Sequence, residues 1–152
     1  GFLTFGCKGF TEENYDALVK KLMGVIRSSV SCAATPSQSI LLKSFNDENN
    51  DSEKEEFKQI LKRRYKIVRN FVDTHSSDVI EPLPFNSGYF MSFHTKNIDA
   101  ESLRVKLLEE KGIGTISIDS STLRVAFSSI DEDKIEQVYS AIYETAGELS
   151  RA

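Results

Sequence analysis

The clearest hydrophobic pattern in the chain is a helical stripe between Ser52 and His75. Apolar side chains recur there at steps of three and four residues, which places them on one face of a helix. Ser52 is followed three residues later by Glu55, as in a capping box, so the sequence predicts a long helix that begins at Ser52. The opposite face is rich in lysine and arginine, which we interpret as a solvated helix face. The stripe consists of Phe57, Ile60, Leu61, Tyr65, Val68, Phe71 and Val72.

Four other segments have shorter helical patterns. Thr11, Asp99 and Asp131 are residue types that favour the N-cap, and each precedes a run with helical spacing of apolar residues. The fourth helix is predicted over residues 37–45. Gly112 follows the helix after Asp99 and is placed where a left-handed C-terminal glycine is common.

Four segments outside the predicted helices have strand patterns. The sequence GFLTFG at residues 1–6 predicts a short strand, and further strands are predicted over residues 89–93, 113–118 and 122–127. Asn86-Ser87-Gly88 predicts a turn, and Tyr89 and Phe90 after it are expected in the core. Asp119-Ser120-Ser121 predicts a tight turn, so the last two strands should form an antiparallel hairpin.

This order of elements predicts an α+β fold: a small, mostly antiparallel sheet with helices packed on one face. The polar run NDENNDS at residues 46–52 is the strongest boundary signal. We therefore expect two domains, residues 1–46 and residues 52–152, with the helix over 52–75 connecting them. The first has a different character, with one strand, helices and a loop of small residues.

Composition narrows the class of protein. The 152 residues carry a net charge of -4, which disfavours a nucleic-acid partner because such proteins need a basic face. No run approaches the roughly 18 apolar residues of a membrane span. Cys7 and Cys32 favour two unpaired thiols in a reducing cytoplasm. His75 and His94 are isolated, so the spacing predicts no metal site.

Arg124 is the candidate functional residue. In a strand over residues 122–127, side chains alternate, so Leu123, Val125 and Phe127 share one face and Arg124 points to the other. An arginine among apolar neighbours is costly to bury unpaired and usually meets a carboxylate, which its planar fork suits. The residues leave two possibilities open: an internal ion pair with an acidic residue such as Asp119 or Glu81, or a carboxylate on a ligand.

Several motifs in this order resemble the C-terminal part of class I/II aminotransferases, which are pyridoxal-phosphate enzymes of fold-type I. GFLTFG resembles the strand after the family's cofactor-lysine loop, and Arg27-x-x-x-Ser31 followed by Gln38 resembles a loop near the end of the large domain. Asn86-x-Gly88-Tyr89-Phe90 is similar to the start of a small-domain strand. LLEEKGIG followed by LRVAFSS is similar to the strand pair with the substrate-carboxylate arginine.

The resemblance implies roles for four residues. Arg124 would hold the substrate α-carboxylate, and Asn86 would lie near the cofactor side of the small domain, although a simple turn asparagine is the alternative. Ser31 and Cys32 would approach the active site of a neighbouring subunit, with plain loop packing as their alternative. The loop between the last two strands is shorter than in many members, which leaves the substrate type open.

The resemblance also implies that the catalytic residues lie elsewhere. No lysine has the family's Ser-x-x-Lys context, so pyridoxal phosphate is expected in a longer parent enzyme and not covalently in this chain, which would be inactive alone. The chain does not begin with Met, which favours the same interpretation. The expected partners are an amino acid or 2-oxo acid, the rest of the large domain, and a second subunit in a homodimer. The alternatives are a non-enzymatic regulatory module of this fold and a lyase or decarboxylase.

Overall fold

The structure is a computed structural model, and it describes residues 3–151. The chain divides into two compact units, Gly1–Asn50 and Asp51–Ala152.

The first unit contains two helices, α1 (Glu12–Ser29) and α2 (Thr35–Phe45). Thr11 caps α1 as predicted, and the side chain of Asn14 accepts a hydrogen bond from the Thr11 backbone N–H at 2.9 Å. Helix α2 begins two residues before the predicted start because Pro36 belongs to its first turn, where its missing N–H is not needed.

The strand predicted over GFLTFG does not form at residues 3–6, which have no regular secondary structure. Gly1 and Phe2 lie outside the described residues. A strand is defined by its ladder partner, and the residues of this unit that the structure describes contain no other strand to pair with.

The first unit has no buried residue among those described. Its most sheltered apolar side chains, Tyr15, Leu18 and Leu22, are only half-buried. Most of its large apolar side chains are exposed, several of them on one or other helix. These include Val19, Met23, Val25, Ile26, Ile40, Leu41, Leu42 and Phe45.

The second unit contains helices α3 (Asn50–Thr74, whose first residue closes the first unit), α4 (Ala100–Lys111) and α5 (Ile135–Leu149). Helix α3 begins before Ser52, so the predicted cap was wrong, and Ser52 lies in the first turn. Asp47 stabilises the turn before α3: its carboxylate accepts a hydrogen bond from the Asn49 N–H, and its carbonyl accepts one from the Asn50 N–H.

Four antiparallel strands form the sheet of the second unit: β1 (Ile80–Pro82), β2 (Met91–Thr95), β3 (Ile116–Asp119) and β4 (Thr122–Val125). Their spatial order is β1-β2-β4-β3. The predicted α+β fold and the β3–β4 hairpin are confirmed. Strand β1 was not predicted, because three residues that include a proline are too short to show alternation. Its place at the sheet edge is where proline is tolerated.

One face of the sheet is the core of the second unit. Met91 pairs with Val125 and Phe93 with Leu123, and all four side chains are buried. Helices α3, α4 and α5 complete this core with buried side chains of their own. They supply Val68, Phe71, Val72, Leu103, Leu107, Ile135, Tyr139, Ile142 and Ala146.

The end of β4 differs from the predicted strand. The strand stops at Val125, and Phe127, although fully buried, begins a short 3₁₀ segment, Phe127–Ser129. The Ser128 N–H donates to the Tyr89 carbonyl at 3.3 Å, and the Arg64 guanidinium donates to the Ser128 carbonyl.

A second 3₁₀ segment, Glu132–Lys134, separates Asp131 from α5, so Asp131 caps that segment and does not cap α5 directly.

Phe93 tests the role of this core. It is fully buried and contacts the rings of Tyr139 and Tyr143, with centroid distances of 6.1 and 5.6 Å. We expect Phe93→Ala to lower the free energy of unfolding by about 3–5 kcal/mol, because it removes apolar contacts and leaves a cavity. Urea unfolding monitored by circular dichroism measures this. Phe57→Ala, at a ring that is 51% exposed on α3, is the control and should change stability by about 0.5 kcal/mol or less.

Candidate functional site

Arg124 lies on the sheet face opposite the core. It pairs with Ser92 on β2 and Ile116 on β3, so these three side chains form one row across the sheet. The next row contains Thr122, His94 and Glu81. Leu123 and Val125 are buried on either side of Arg124 in sequence, and this burial fixes the direction of its side chain.

The turn before β4 is held by a compact set of hydrogen bonds. One carboxylate oxygen of Asp119 accepts from the Ser121 backbone N–H at 2.8 Å and from its hydroxyl at 3.0 Å. The backbone hydrogen bond from Ser121 lowers the pKa of Asp119 below its ordinary value. The carbonyls of Ser120 and Ser121 accept from the N–H groups of Ala100 and Thr95, both at 2.8 Å. The turn is therefore tied to α4 and β2, and the register of β4 is fixed.

Neither carboxylate considered as an internal partner pairs with Arg124. Glu81 forms an ion pair with Lys96 at 2.7 Å, and the hydrogen bond from Lys96 lowers the pKa of Glu81. Asp119 is engaged by its own turn. Among the residues that the structure describes, no carboxylate forms a salt bridge with Arg124.

The contact that Arg124 does make is with an aromatic ring. Its guanidinium carbon lies 4.8 Å from the centroid of the Phe90 ring, a cation–π geometry. The Nε atom of Arg124 is buried and has no hydrogen-bond partner among the described residues. The expectation that Tyr89 and Phe90 belong to the core was wrong, because they are 50% and 45% exposed.

Sequence reasoning missed the role of Phe90, although one signal was present. Phe90 lies two positions before Ser92, and β2 alternates between buried and outer positions. Continuing that alternation one residue before Met91 places Phe90 on the outer face, diagonal to Arg124. What the sequence did not provide was the register between β2 and β4.

Asn86 lies in the predicted turn before β2. It is exposed, and its side-chain oxygen accepts a hydrogen bond from the Ser87 hydroxyl at 3.2 Å. Gly88 has a φ of 92°, which a residue with a Cβ rarely adopts, so the glycine is required for this turn. The hydrogen bond described for the Asn86 side chain is with its neighbour Ser87 and not with Arg124.

Ser31 and Cys32 lie in the first unit, between α1 and α2. Ser31 has a φ of 69°, and its N–H donates to the Ile26 carbonyl at 2.9 Å, which ends α1. The side chains of both residues are exposed, and Cys32 is a free thiol, as is Cys7.

A separate cavity of about 310 Å³ lies beyond the end of β4. Neither Arg124 nor Phe90 lines it, so we do not assign the carboxylate site to it. Its lining residues are Gly112, Ile113, Gly114, Val125, Ala126, Ser129, Ile130, Asp131, Lys134 and Val138.

The contacts described around Arg124 include no lysine. None of the contacts of Arg124 or Phe90 involves a lysine amino group, and Lys96, which follows β2, is paired with Glu81. Residues 3–151 also contain no group of histidine, cysteine and carboxylate side chains that could hold a metal ion. In the same part of the chain, no helix has the length and apolar character required to cross a bilayer.

Comparison with known proteins identifies the family. Residues 1–142 match the model of the aminotransferase class I and II family, so the chain belongs to that family. A comparison with curated protein sequences gives no match.

Solved aminotransferases share this fold. A kynurenine aminotransferase of Pyrococcus horikoshii is 17% identical, with a TM-score of 0.72 over 87% of this chain and 35% of its own. A multiple substrate aminotransferase of Thermococcus profundus is 18% identical, with a TM-score of 0.74 over 89% of this chain and 36% of its own. The α-aminoadipate aminotransferase of Thermus thermophilus is 15% identical, with a TM-score of 0.71 over 88% of this chain and 36% of its own. The chain thus spans about a third of each of these proteins.

Asp119 gives a pH-dependent prediction for the hairpin. Because its pKa is lowered in the folded state, its contribution to stability is present above the ordinary pKa of about 3.9 and is lost as pH falls through the lower folded value. We expect Asp119→Ala to be less stable than the unmodified chain at pH 7, with the difference shrinking towards zero below about pH 3. Urea unfolding at both pH values measures this. A difference that grows on acidification would contradict the assignment.

Proposed function

We propose that this chain supplies the substrate-carboxylate arginine of a pyridoxal-phosphate-dependent aminotransferase, which transfers an amino group between an amino acid and a 2-oxo acid. The observation that supports this most directly is Arg124, which has a buried, unpaired Nε and no internal carboxylate, in a chain of the aminotransferase class I and II family. A cation in this state fits an anionic ligand, since a planar guanidinium can bind both oxygens of a carboxylate.

The energetic argument favours a ligand over a purely structural role. A buried donor without a partner costs about 1–3 kcal/mol, and an incoming carboxylate would remove that cost. The carboxylate of Glu81 is paired with Lys96, and that of Asp119 accepts from the Ser121 backbone N–H. These two carboxylates therefore do not compete with a ligand for Arg124. The sheet also holds β4 on both sides, which keeps the arginine in place before substrate arrives.

In this proposal, the chain binds and orients the substrate and leaves the bond-making chemistry to residues outside those described. Pyridoxal phosphate would supply an electron sink for the amino acid in the complete enzyme. Arg124 would hold the α-carboxylate and thereby fix which bonds of the substrate face the cofactor. The isolated 152-residue chain, in which no lysine has the family's Ser-x-x-Lys context, would be inactive.

The two units support a proposed domain assignment. We assign residues 1–46 to an edge of the large, cofactor-binding domain and residues 52–152 to the small domain, with the helix over residues 52–75 between them. The exposed apolar side chains of the first unit are those expected of a segment that normally packs against more protein. The partners would be the rest of the large domain and a second subunit.

Three further residues have weaker support. Asn86 is assigned as a substrate-binding residue near the cofactor side of the small domain, because it opens the turn that leads into Phe90, the residue that contacts Arg124. Ser31 and Cys32 are assigned as contacts to the active site of a neighbouring subunit, on the basis of their exposure and of the family match.

Arg124→Ala tests the proposed role. In the complete enzyme we expect KM for amino acids to rise about 30-fold or more, because truncating one partner of a buried charge pair costs about 2–5 kcal/mol. The absorption of the bound cofactor should not change. Steady-state kinetics and a visible spectrum measure the two effects.

The matched variant for this experiment is Arg124→Lys, which keeps the charge but loses the fork. Its KM should lie between those of the unmodified enzyme and Arg124→Ala. An unchanged KM in Arg124→Ala would contradict the assignment. Ammonia, carbon dioxide or a cleaved side chain as product, in place of a new amino acid, would instead identify a lyase or decarboxylase of the same fold.

The exposed apolar side chains of the first unit give a second test. We expect the 152-residue chain to bind the dye 1-anilinonaphthalene-8-sulfonate, and the double variant Leu42→Ser, Phe45→Ser to bind less, because both side chains are more than half exposed on α2. Fluorescence titration measures this. Leu83→Ser, at an exposed leucine of the second unit, is the control. A chain that binds no dye would argue against a surface built to be covered.

A further inference from the structure

We propose that Phe90 is a positioning residue for Arg124: its ring holds the guanidinium so that the N–H edge faces an incoming carboxylate. This inference rests on the proposed function, since it concerns the same site. It assigns a role to an exposed aromatic residue that the sequence pattern did not explain.

The sheet register brings the two side chains together. Met91 pairs with Val125, so Phe90 would face Ala126 if the ladder continued past the end of β4, and Arg124 lies two positions before Ala126 in the sequence. Diagonal neighbours on one sheet face are within reach of aromatic and long side chains. The small methyl group of Ala126 leaves the Phe90 ring free to lean towards Arg124, where the observed separation is 4.8 Å.

A cation that lies over the face of a ring does not use the N–H donors that bind carboxylate. The positive charge lies over the ring face, whereas all five N–H donors point outward in the guanidinium plane. The ring therefore restricts the orientation of the group without using any of its donors. Restricting that orientation in advance lowers the entropy lost when substrate binds.

The same molecule contains a complete example of this arrangement. The guanidinium carbon of Arg69 lies 5.2 Å from the centroid of the Phe85 ring, while its Nε donates to the Asp73 carboxylate at 2.8 Å. One arginine thus uses its face for a ring and its edge for a carboxylate at the same time. Arg124 has the ring, and the carboxylate is the component that a ligand would provide.

The rest of the row around Arg124 gives little other restraint. Ile116, directly opposite on β3, is apolar and 48% exposed, and the hydrogen bonds described for this face include none from Arg124 to Ser92. Phe90 is therefore the side chain whose loss should free the guanidinium most.

The first experiment uses Phe90→Leu in the complete enzyme. We expect KM to rise roughly 2- to 10-fold with little change in kcat, and by a similar factor for amino acids with different side chains, because only the shared carboxylate is affected. Phe90→Tyr keeps the ring and should restore KM. Phe57→Leu, at an exposed phenylalanine on α3, is the control and should leave KM unchanged.

A double variant separates positioning from direct contact with substrate. In an Arg124→Ala background, Phe90→Leu should have no further effect on KM, because the group that it positions is gone. A full effect of Phe90→Leu in that background, or an effect that depends on the substrate side chain, would overturn the proposal and indicate direct contact. An Arg124→Ala variant with unchanged KM would refute the proposed function itself.

The second experiment needs no activity and uses the 152-residue chain. A ring stacked on the guanidinium shifts the Arg124 Hε resonance upfield, so Phe90→Leu should move it downfield, while Phe90→Tyr should leave it in place. An unchanged resonance in Phe90→Leu would show that the ring does not hold Arg124. If Phe90→Leu does not fold, Phe90→Met makes the same comparison with a flexible apolar side chain.

Discussion

The burial of Leu123 and Val125 is the constraint on which the candidate site depends. Both side chains are almost completely buried against the helices, and a strand must point its intervening residue the other way. A slip of one residue would bury the Arg124 charge and expose two large apolar groups, so the register of β4 is strongly determined. The turn at Asp119, tied to α4 and β2, reinforces the same register. Core packing therefore determines the direction of a charged group that takes no part in the core.

That direction would be costly if Arg124 were completely enclosed, but it is only half-buried. Its charge is partly solvated, its guanidinium lies over the Phe90 ring, and Nε is its buried nitrogen without a described partner. The two carboxylates within the same sheet are each occupied, Glu81 by Lys96 and Asp119 by its own turn. The fold therefore tolerates this cation without neutralising it, whereas a structural ion pair would supply a counter-charge from the protein.

The sequence predicted best where the decisive interactions are local. The caps at Thr11 and Asp99, the left-handed Gly112 and the β3–β4 hairpin all depend on residues a few positions apart, and all formed. The predictions were wrong or incomplete where a strand or side chain depends on a partner that is distant in sequence or absent. Strand β1 is defined by its pairing with β2, the segment 3–6 has no strand to pair with, and the Phe90–Arg124 contact requires the β2–β4 register. Alternation revealed the outer face of each strand, but not which outer residues meet across the ladder.

The first unit exposes most of its large apolar side chains, whereas the second unit buries its own in a core. The residues that stabilise the second unit can therefore be distinguished from Arg124. The second unit has a complete core and holds Arg124 by strand pairing and one aromatic ring, with no contribution from a counter-charge. Its stability should therefore depend on residues such as Phe93 and Leu123 and only weakly on Arg124. In an internal salt bridge the opposite would hold, because removing one partner would leave the other charge buried and destabilise the fold. In the proposed role, loss of the arginine would therefore weaken substrate binding and leave the folding of the domain intact.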